Sequence, residues 1–341
     1  MNRVVRFSAY GGPEVLRIED EPLAAPAAGE IQVRIEALGL NRAEAAFRAG
    51  QYLEPASFPS RLGYEAAGIV EALGAGVAGF EPGDAVCVIP AFSMARYGVY
   101  AEYANVPAEA VLKRPDGLSA ETAAALWMAY LTAYGGLVDI AQLGQGDSVV
   151  ITAPSSSVGL AAIQIANFVG ATPIAVTRSP DKEAALLAAG AHYVVSAKDD
   201  QVPVAAVLAA TGGKGARLVF DPVAGPGVES LAATLAPQGS LILYGNLSGA
   251  GAATPFPFRL AVGKGLSLRG YLVFEIIADP GRRERAESFI REGLRRGAFQ
   301  PTIARRFAFD DIVAAHRYLE SNQQLGKVVV STALPPNQKQ E

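Results

Sequence analysis

The chain has one cysteine, Cys87, in 341 residues, so no intrachain disulfide can form. Histidine is almost as scarce. His192 and His316 are isolated from any other metal-ligating cluster, and both read as surface or packing residues rather than ligands. Charged residues make up only 18%, the net charge is -4, and no Lys/Arg block occurs, which argues against nonspecific nucleic-acid binding. The N-terminal MNRVVRFSAYGG begins a strand and lacks the apolar core of a signal peptide, so a reduced, cytoplasmic setting is expected. One long stretch, residues 148–177, carries no charge at all. Pro154, three consecutive serines, Gln164, Asn167 and Pro173 break it into short elements, which fits a buried parallel sheet better than a membrane span.

What is present is a hydrophobic half of the composition, enough for two domains with their own cores. The first part is rich in short strands: Val4–Ser8, Ile31–Leu38, Ala66–Ala72, Ala85–Ile89 and Tyr103–Asn105, with the turn Glu81-Pro82-Gly83-Asp84 before the fourth. From Thr122 helices and strands alternate. Val149–Thr152, Pro173–Thr177, Tyr193–Val195, Arg217–Asp221, Ser240–Tyr244 and Leu266–Tyr271 form six strands of a doubly wound sheet. The tail predicts helices near 284–296 and 310–321 and a last strand, Lys327–Ser331, that returns to the first domain. No internal repeat is evident.

Residues 149–182 read as strand, tight turn, helix, strand and basic turn, the outline of a dinucleotide site. There a pyrophosphate would sit on the free N–H groups of a helix start. Pro154 and Ser156 stand at the first two positions of G-x-G-x-x-G and Gly159 fills the third. Gly159 lets helix and strand pack closely, while the Ser156 hydroxyl is a candidate donor to phosphate. After Thr177, where such strands usually end in an acidic residue, come Arg178, Ser179 and, one turn on, Lys182. These cations would attract a 2′-phosphate and favour NADP over NAD. On these residues alone, an ordinary buried crossover followed by a solvated basic turn fits as well.

The ordered series Gly11-Gly12-Pro13-Glu14-Val15-Leu16, Gly39-Leu40-Asn41-Arg42-Ala43-Glu44, Gly63-Tyr64-Glu65-Ala66-Ala67-Gly68, Pro82-Gly83-Asp84-Ala85-Val86, Tyr100-Ala101-Glu102-Tyr103, Leu131-Thr132-Ala133-Tyr134, Ser157-Val158-Gly159-Leu160-Ala161, Gly245-Asn246-Leu247-Ser248-Gly249 and Gly326-Lys327-Val328-Val329 covers nearly the whole chain. In this order it resembles the medium-chain dehydrogenase/reductase superfamily, nearest its zinc-independent quinone oxidoreductase branch. The resemblance implies an α/β fold: a Rossmann doubly wound parallel sheet, residues 125–276, inserted into a GroES-like β-rich catalytic domain, residues 1–124 with 277–341, the active site lying in the cleft. It also implies a homodimer through the edge strand Leu266–Tyr271.

In the alcohol dehydrogenases of the superfamily, a Cys and a His from the segments matching Gly39–Glu44 and Gly63–Glu65 hold a catalytic zinc. Here those places carry Asn41 and Tyr64. Zinc takes thiolate, imidazole or carboxylate ligands at about 2.0 to 2.3 Å, so neither is a competent substitute, and Glu65 alone cannot hold the ion. The four-cysteine structural lobe is also missing, so no zinc is expected. Without a Lewis acid, conjugated acceptors are favoured, because charge from an incoming hydride spreads to a remote oxygen that hydrogen-bond donors can stabilise. Asn41 and Tyr52, the latter matching a cleft tyrosine of quinone reductases, are the candidates for orienting that carbonyl, with Tyr64 a third. Phe47, Tyr52, Phe92, Tyr97 and Phe274 are expected to stack on a flat substrate.

By the same resemblance, Thr132 lies near the nicotinamide, Ser156, Ser157, Val158 and Gly159 lie under the pyrophosphate, and Thr177, Arg178, Ser179 and Lys182 lie around the 2′-phosphate. Gly245, Asn246 and Leu247 border the nicotinamide ribose and carboxamide, and Phe274 and Asn322 close the pocket. Asp221 ends a strand and either caps a turn or meets the cofactor. Ala197 departs from the tyrosine that some quinone reductases place near the 2′-phosphate, so phosphate selectivity would rest on Arg178, Ser179 and Lys182. The expected activity is metal-independent, NADPH-dependent hydride transfer to a quinone or α,β-unsaturated carbonyl, with no nucleic-acid or membrane partner. A zinc-type alcohol dehydrogenase relative and a noncatalytic NADPH-binding protein are the alternatives.

Overall fold

In the computed structural model, which describes residues 1–198 and 201–332 (the Ala252 side chain apart), the described residues form two compact units, one of residues 1–128 with 301–332 and one within 129–300. The boundary expected near residue 277 therefore falls at 301. The reason is the helix Pro280–Arg295, expected with the first unit, which is bound into the second by Arg282 donating to Asp139 at 2.6 Å and by Phe289 packed on Tyr134, Phe168 and Phe299.

The second unit is a six-stranded sheet whose strands are all parallel. In order across the sheet they are Tyr193–Ser196, Thr172–Thr177, Ser148–Thr152, Ala216–Asp221, Leu235–Leu243 and Ser267–Gly270. Counted along the chain this is 3-2-1-4-5-6, the order of the doubly wound dinucleotide fold, with its reversal between the first and fourth strands. The uncharged stretch supplies its middle: Val149, Val150, Ile151, Ile174 and Ala175 are buried. The helix between them, Ser157–Phe168, buries Leu160, Ala161, Ile163 and Ile165. That run is apolar because both faces of a parallel sheet are covered.

The first unit holds a seven-stranded sheet built on the long strand Glu30–Leu40, which pairs antiparallel with Glu65–Leu73, Tyr103–Pro107 and Lys327–Ser331. The C-terminal strand thus returns as the sequence predicts, Val328 lying opposite Leu40. The run Ala120–Ile140 is long and apolar enough to cross a membrane, yet 83% of an 18-residue window within it is buried in the fold.

Candidate active site

The turn expected to hold the nucleotide is built by the helix start it precedes. Ser156 is the N-cap of Ser157–Phe168 and its hydroxyl oxygen accepts the Gly159 N–H at 3.0 Å, satisfying one of the donors a helix leaves without an internal acceptor. The hydroxyl expected to serve phosphate therefore serves the helix first, with only its proton left to donate. Gly159 has no room for a Cβ: one would lie 2.6 Å from the Ala153 oxygen and the Pro154 Cα. Ala153 itself is held at φ 45°, a left-handed conformation uncommon for a residue with a side chain, where the strand turns into the helix.

The basic turn closes on this one. Lys182 Nζ donates to Ser155 Oγ at 3.2 Å, so the cation lies directly on the turn before the helix, and burial holds its pKa below the usual lysine value. The Thr177 hydroxyl accepts the Ser179 N–H at 3.1 Å and fixes the turn that carries Arg178, whose side chain is exposed. Ala197 takes its place beside them through a bond from its N–H to the Thr177 carbonyl at 2.8 Å.

At the same end of the sheet Asp221 is buried and accepts the Thr152 hydroxyl, the Val223 N–H at 3.2 Å and the Ala224 N–H at 2.8 Å. It is a turn cap, the first of the two readings its position allowed. Leu247 and Ser248 donate back to the carbonyls of Pro222 and Val223, strapping residues 245–248 to this turn and leaving Gly245, Asn246 and Leu247 exposed. Asn246 Oδ1 accepts the Gly251 N–H at 2.7 Å. Thr132 is buried on the helix Trp127–Tyr134, and Phe274 opens the short helix Phe274–Ile277. Asn322 belongs to the other unit, where it accepts a bond from Arg42 and takes a left-handed φ of 60°.

In the first unit the sequence-predicted residues gather around a charge that sequence reasoning missed. Lys327, 1% exposed, donates to Asn41 Oδ1 and to Glu65 Oε2, each at 2.5 Å. Gly39 admits it, since a Cβ there would lie 2.8 Å from Lys327 Cε and collide with the Ala124 carbonyl. The other Glu65 oxygen accepts the Met128 N–H at 2.9 Å. Asn41 starts the helix Arg42–Arg48, its N–H bonded to Glu44 at 2.8 Å, while its amide nitrogen donates to the Gly39 carbonyl at 3.0 Å and lies 3.3 Å from Glu44. Both ends of the Asn41 amide are engaged within the unit, which corrects its expected role as a donor to substrate: its oxygen accepts from a lysine and its N–H bonds go to the protein. The available signals were Asn41 followed three residues later by Glu44, a helix-start pattern, and a lysine at the head of an apolar strand, which burial obliges to find a partner.

Tyr52 and Tyr64 lie just beyond. Their rings are 6.2 Å apart, their hydroxyls hydrogen-bond each other, and Tyr64 Oη donates to Glu54 at 3.3 Å. Burial, with Glu44 and Glu54 nearby, pushes the Tyr52 hydroxyl up to about 12 and Tyr64 higher, so both remain protonated donors at neutral pH. The aromatic row continues from Tyr64 to Phe92 at 5.7 Å and from Phe92 to Tyr97 at 6.1 Å. Phe47, expected to stack on substrate, is fully buried between Phe7 and Tyr52 and has no face to offer. Phe274 lies in the second unit.

Two buried groups of the first unit titrate with opposite signs. Burial, with a contribution from Arg48, pushes His316 down to about 3, and neither of its ring nitrogens has a hydrogen-bond partner among the described residues. Burial raises Glu44 to about 7 against the opposing pull of Lys327 and its N–H donors. Below its ordinary 6.5 the unfolded histidine takes up a proton that the folded one refuses, so stability falls as pH falls from 6.5 to about 3. Glu44 holds a proton in the fold that the unfolded chain releases above 4.5, so its contribution falls as pH rises from 4.5 to about 7. Denaturant titrations should show a gain of His316→Phe over the parent growing by up to ~1.4 kcal/mol per pH unit on acidification, with Glu44→Gln gaining in the opposite direction. A pH-independent difference for both variants would refute the assignment.

Comparison with known proteins accords with this geometry. The domain family described as alcohol dehydrogenase GroES-like domain matches residues 27–116, and that described as zinc-binding dehydrogenase matches residues 157–291. A quinone oxidoreductase of Pseudomonas aeruginosa is 33% identical over 97% of this chain and 99% of its own length. The crystal structure of Escherichia coli quinone oxidoreductase complexed with NADPH superposes with a TM-score of 0.88 at 30% identity, over 97% of this chain and all of that one. A crystal structure described as an NAD-dependent alcohol dehydrogenase gives 0.87 at 31% identity over the same shares.

Proposed function

Because the chain belongs to the medium-chain dehydrogenase/reductase superfamily, in its quinone oxidoreductase-like branch, we propose that it is a metal-independent, NADPH-dependent reductase of quinones or α,β-unsaturated carbonyls. The observation that carries this reading is Lys327. Its ammonium is bonded to Asn41 and Glu65, at and beside the positions where the zinc-type relatives hold their ion. A second cation there would be repelled and would find the oxygen lone pairs occupied, and among the described residues no group of three His, Cys, Asp or Glu could hold a metal.

The residues of the second unit fit a dinucleotide phosphate. The helix start at Ser156–Gly159 offers N–H groups and a favourable dipole to the pyrophosphate, and Lys182 with Arg178 offers charge to the 2′-phosphate. The NADPH carried by the E. coli relative supports the choice of cofactor. NADPH supplies the hydride when bound. The protein's part is to hold the acceptor and stabilise the charge that develops on its oxygen, for which Tyr52 is the donor. The half-buried Tyr52 and Phe92 rings, packed on either side of Tyr64, offer ring faces suited to a flat molecule. Asn41 supports the site by holding Lys327 in place.

NADPH oxidation followed over a panel of quinones, enals and enones tests the activity: turnover with at least one class is expected, and NADPH binding without oxidation by any member would leave a noncatalytic binder. Tyr52→Phe should lower kcat about 100-fold with NADPH affinity unchanged, as for loss of one oxyanion donor, and full turnover would remove its role.

A second copy of the chain is the proposed partner. The edge strand Ser267–Gly270 has a single neighbour in its sheet, and Phe256, Phe258 and Val262 ahead of it are 64–68% exposed. Sedimentation should give a dimer that Arg269→Pro disrupts; a monomer at all concentrations would rule this out.

A further inference from the structure

Glu54 is tied into a chain of hydroxyls whose end is Tyr52. Its Oε1 accepts the Tyr64 hydroxyl at 3.3 Å and the Met94 N–H at 2.9 Å, and its Oε2 accepts the Ser93 hydroxyl at 2.6 Å. Tyr64, 2% exposed, bonds in turn to Tyr52. Glu54 and Tyr52 are both half-buried and Tyr64 between them is buried, so the chain links two partly exposed groups through a sealed one. Among the described residues, Glu54 and Glu44, both carboxylates, act on the two phenols.

We propose that Glu54, Tyr64 and Tyr52 form a proton relay that carries one solvent proton to the reduced acceptor's oxygen for each hydride transferred. The inference rests on the role given to Tyr52 above. The chemistry balances as follows. Hydride adds to the electrophilic carbon of the conjugated acceptor, forming a C–H bond and moving an electron pair to its oxygen, while nicotinamide is oxidised. That oxygen takes the Tyr52 proton, the Tyr52 oxygen takes the Tyr64 proton, and Tyr64 takes one from the Glu54 carboxyl group, which regains it from water. Neither phenol need exist as an isolated anion, a state that burial disfavours. Direction matters: an ionised Glu54 draws the Tyr64 proton toward itself, and a protonated one releases Tyr64 to donate to Tyr52, leaving the Tyr52 proton for the acceptor. Tyr64 and Glu54 are thus positioning and proton-passing residues, and Tyr52 is the one that meets substrate.

The test compares Glu54→Gln, Tyr64→Phe, their double variant and Tyr52→Phe with NADPH and the best acceptor of the panel. Glu54→Gln keeps one oxygen to accept from Met94 and Tyr64, and its amide NH2 can donate to the Ser93 hydroxyl, so a purely structural Glu54 leaves kcat unchanged. The relay predicts a loss of kcat of about 10- to 100-fold in each single variant with acceptor KM within about threefold, and a double variant no slower than the worse single. It also predicts that formate or acetate restores turnover to Glu54→Ala with a saturable concentration dependence. Wild-type kcat in Glu54→Gln or Tyr64→Phe, losses that multiply in the double variant, or no rescue by either acid would overturn it. Tyr52→Phe separates the two levels of inference: if it alone loses turnover the relay fails and the role of Tyr52 stands, and if it keeps full turnover both fail.

Discussion

Lys327→Met is expected to destabilise the first unit by roughly 3–5 kcal/mol, the cost of leaving a buried anion without its cation. Glu65 is fully buried, and with Lys327 gone it keeps, among the described residues, the Met128 N–H and a long contact to the Asn41 amide. Met preserves most of the lysine stem, so the loss reports charge rather than a cavity beside Gly39. Glu65→Gln in the same chain removes the stranded anion while retaining an acceptor for Met128, and the double variant should recover much of the loss. Equilibrium denaturation at neutral pH measures both. A penalty below about 1 kcal/mol for the single variant would mean the ion pair is bathed in water and does not organise the site.

Arg178→Ala with Lys182→Ala should weaken NADPH binding about 10- to 100-fold while changing NADH binding by less than about twofold. Each charge-assisted bond to phosphate contributes about 1.5–3 kcal/mol, discounted here because Arg178 is exposed and Lys182 only half-buried. The two residues differ in kind. Lys182 already lies against Ser155 in the turn before the helix, so it is pre-placed, whereas the Arg178 side chain is exposed. Lys182→Ala alone should therefore carry the larger share. Titration of both cofactors by fluorescence decides it, and equal losses for NADPH and NADH would show that neither cation reads the 2′-phosphate.

Periodicity located the parallel sheet well because its strands are short apolar runs set between turns, and each of the six was legible before the fold. Gly159 was legible for the same reason: only the absence of a Cβ allows the helix to start beneath Ala153 and Pro154. The helix Pro280–Arg295 was misassigned because amphipathic periodicity reveals that a helix buries one face without revealing against what; Asp139 and the Phe289 contacts decide that. Asn41 and Phe47 were misjudged for a related reason, since side-chain chemistry lists what a residue can donate or stack on, and neighbours determine what is already taken.

The sequence by itself determined the α/β organisation, the strand–turn–helix segment with its basic neighbour, and the lack of zinc-ligand side chains at Asn41 and Tyr64. These are local properties, written in spacing and residue type. Only the tertiary structure placed Lys327 between Asn41 and Glu65, and set Glu54 against Tyr64 and Tyr52, because those contacts join positions 286, 262, 10 and 12 residues apart. Charge pairing at such separations depends on how strands cross within a sheet and how loops fold back on it, and no local pattern encodes that.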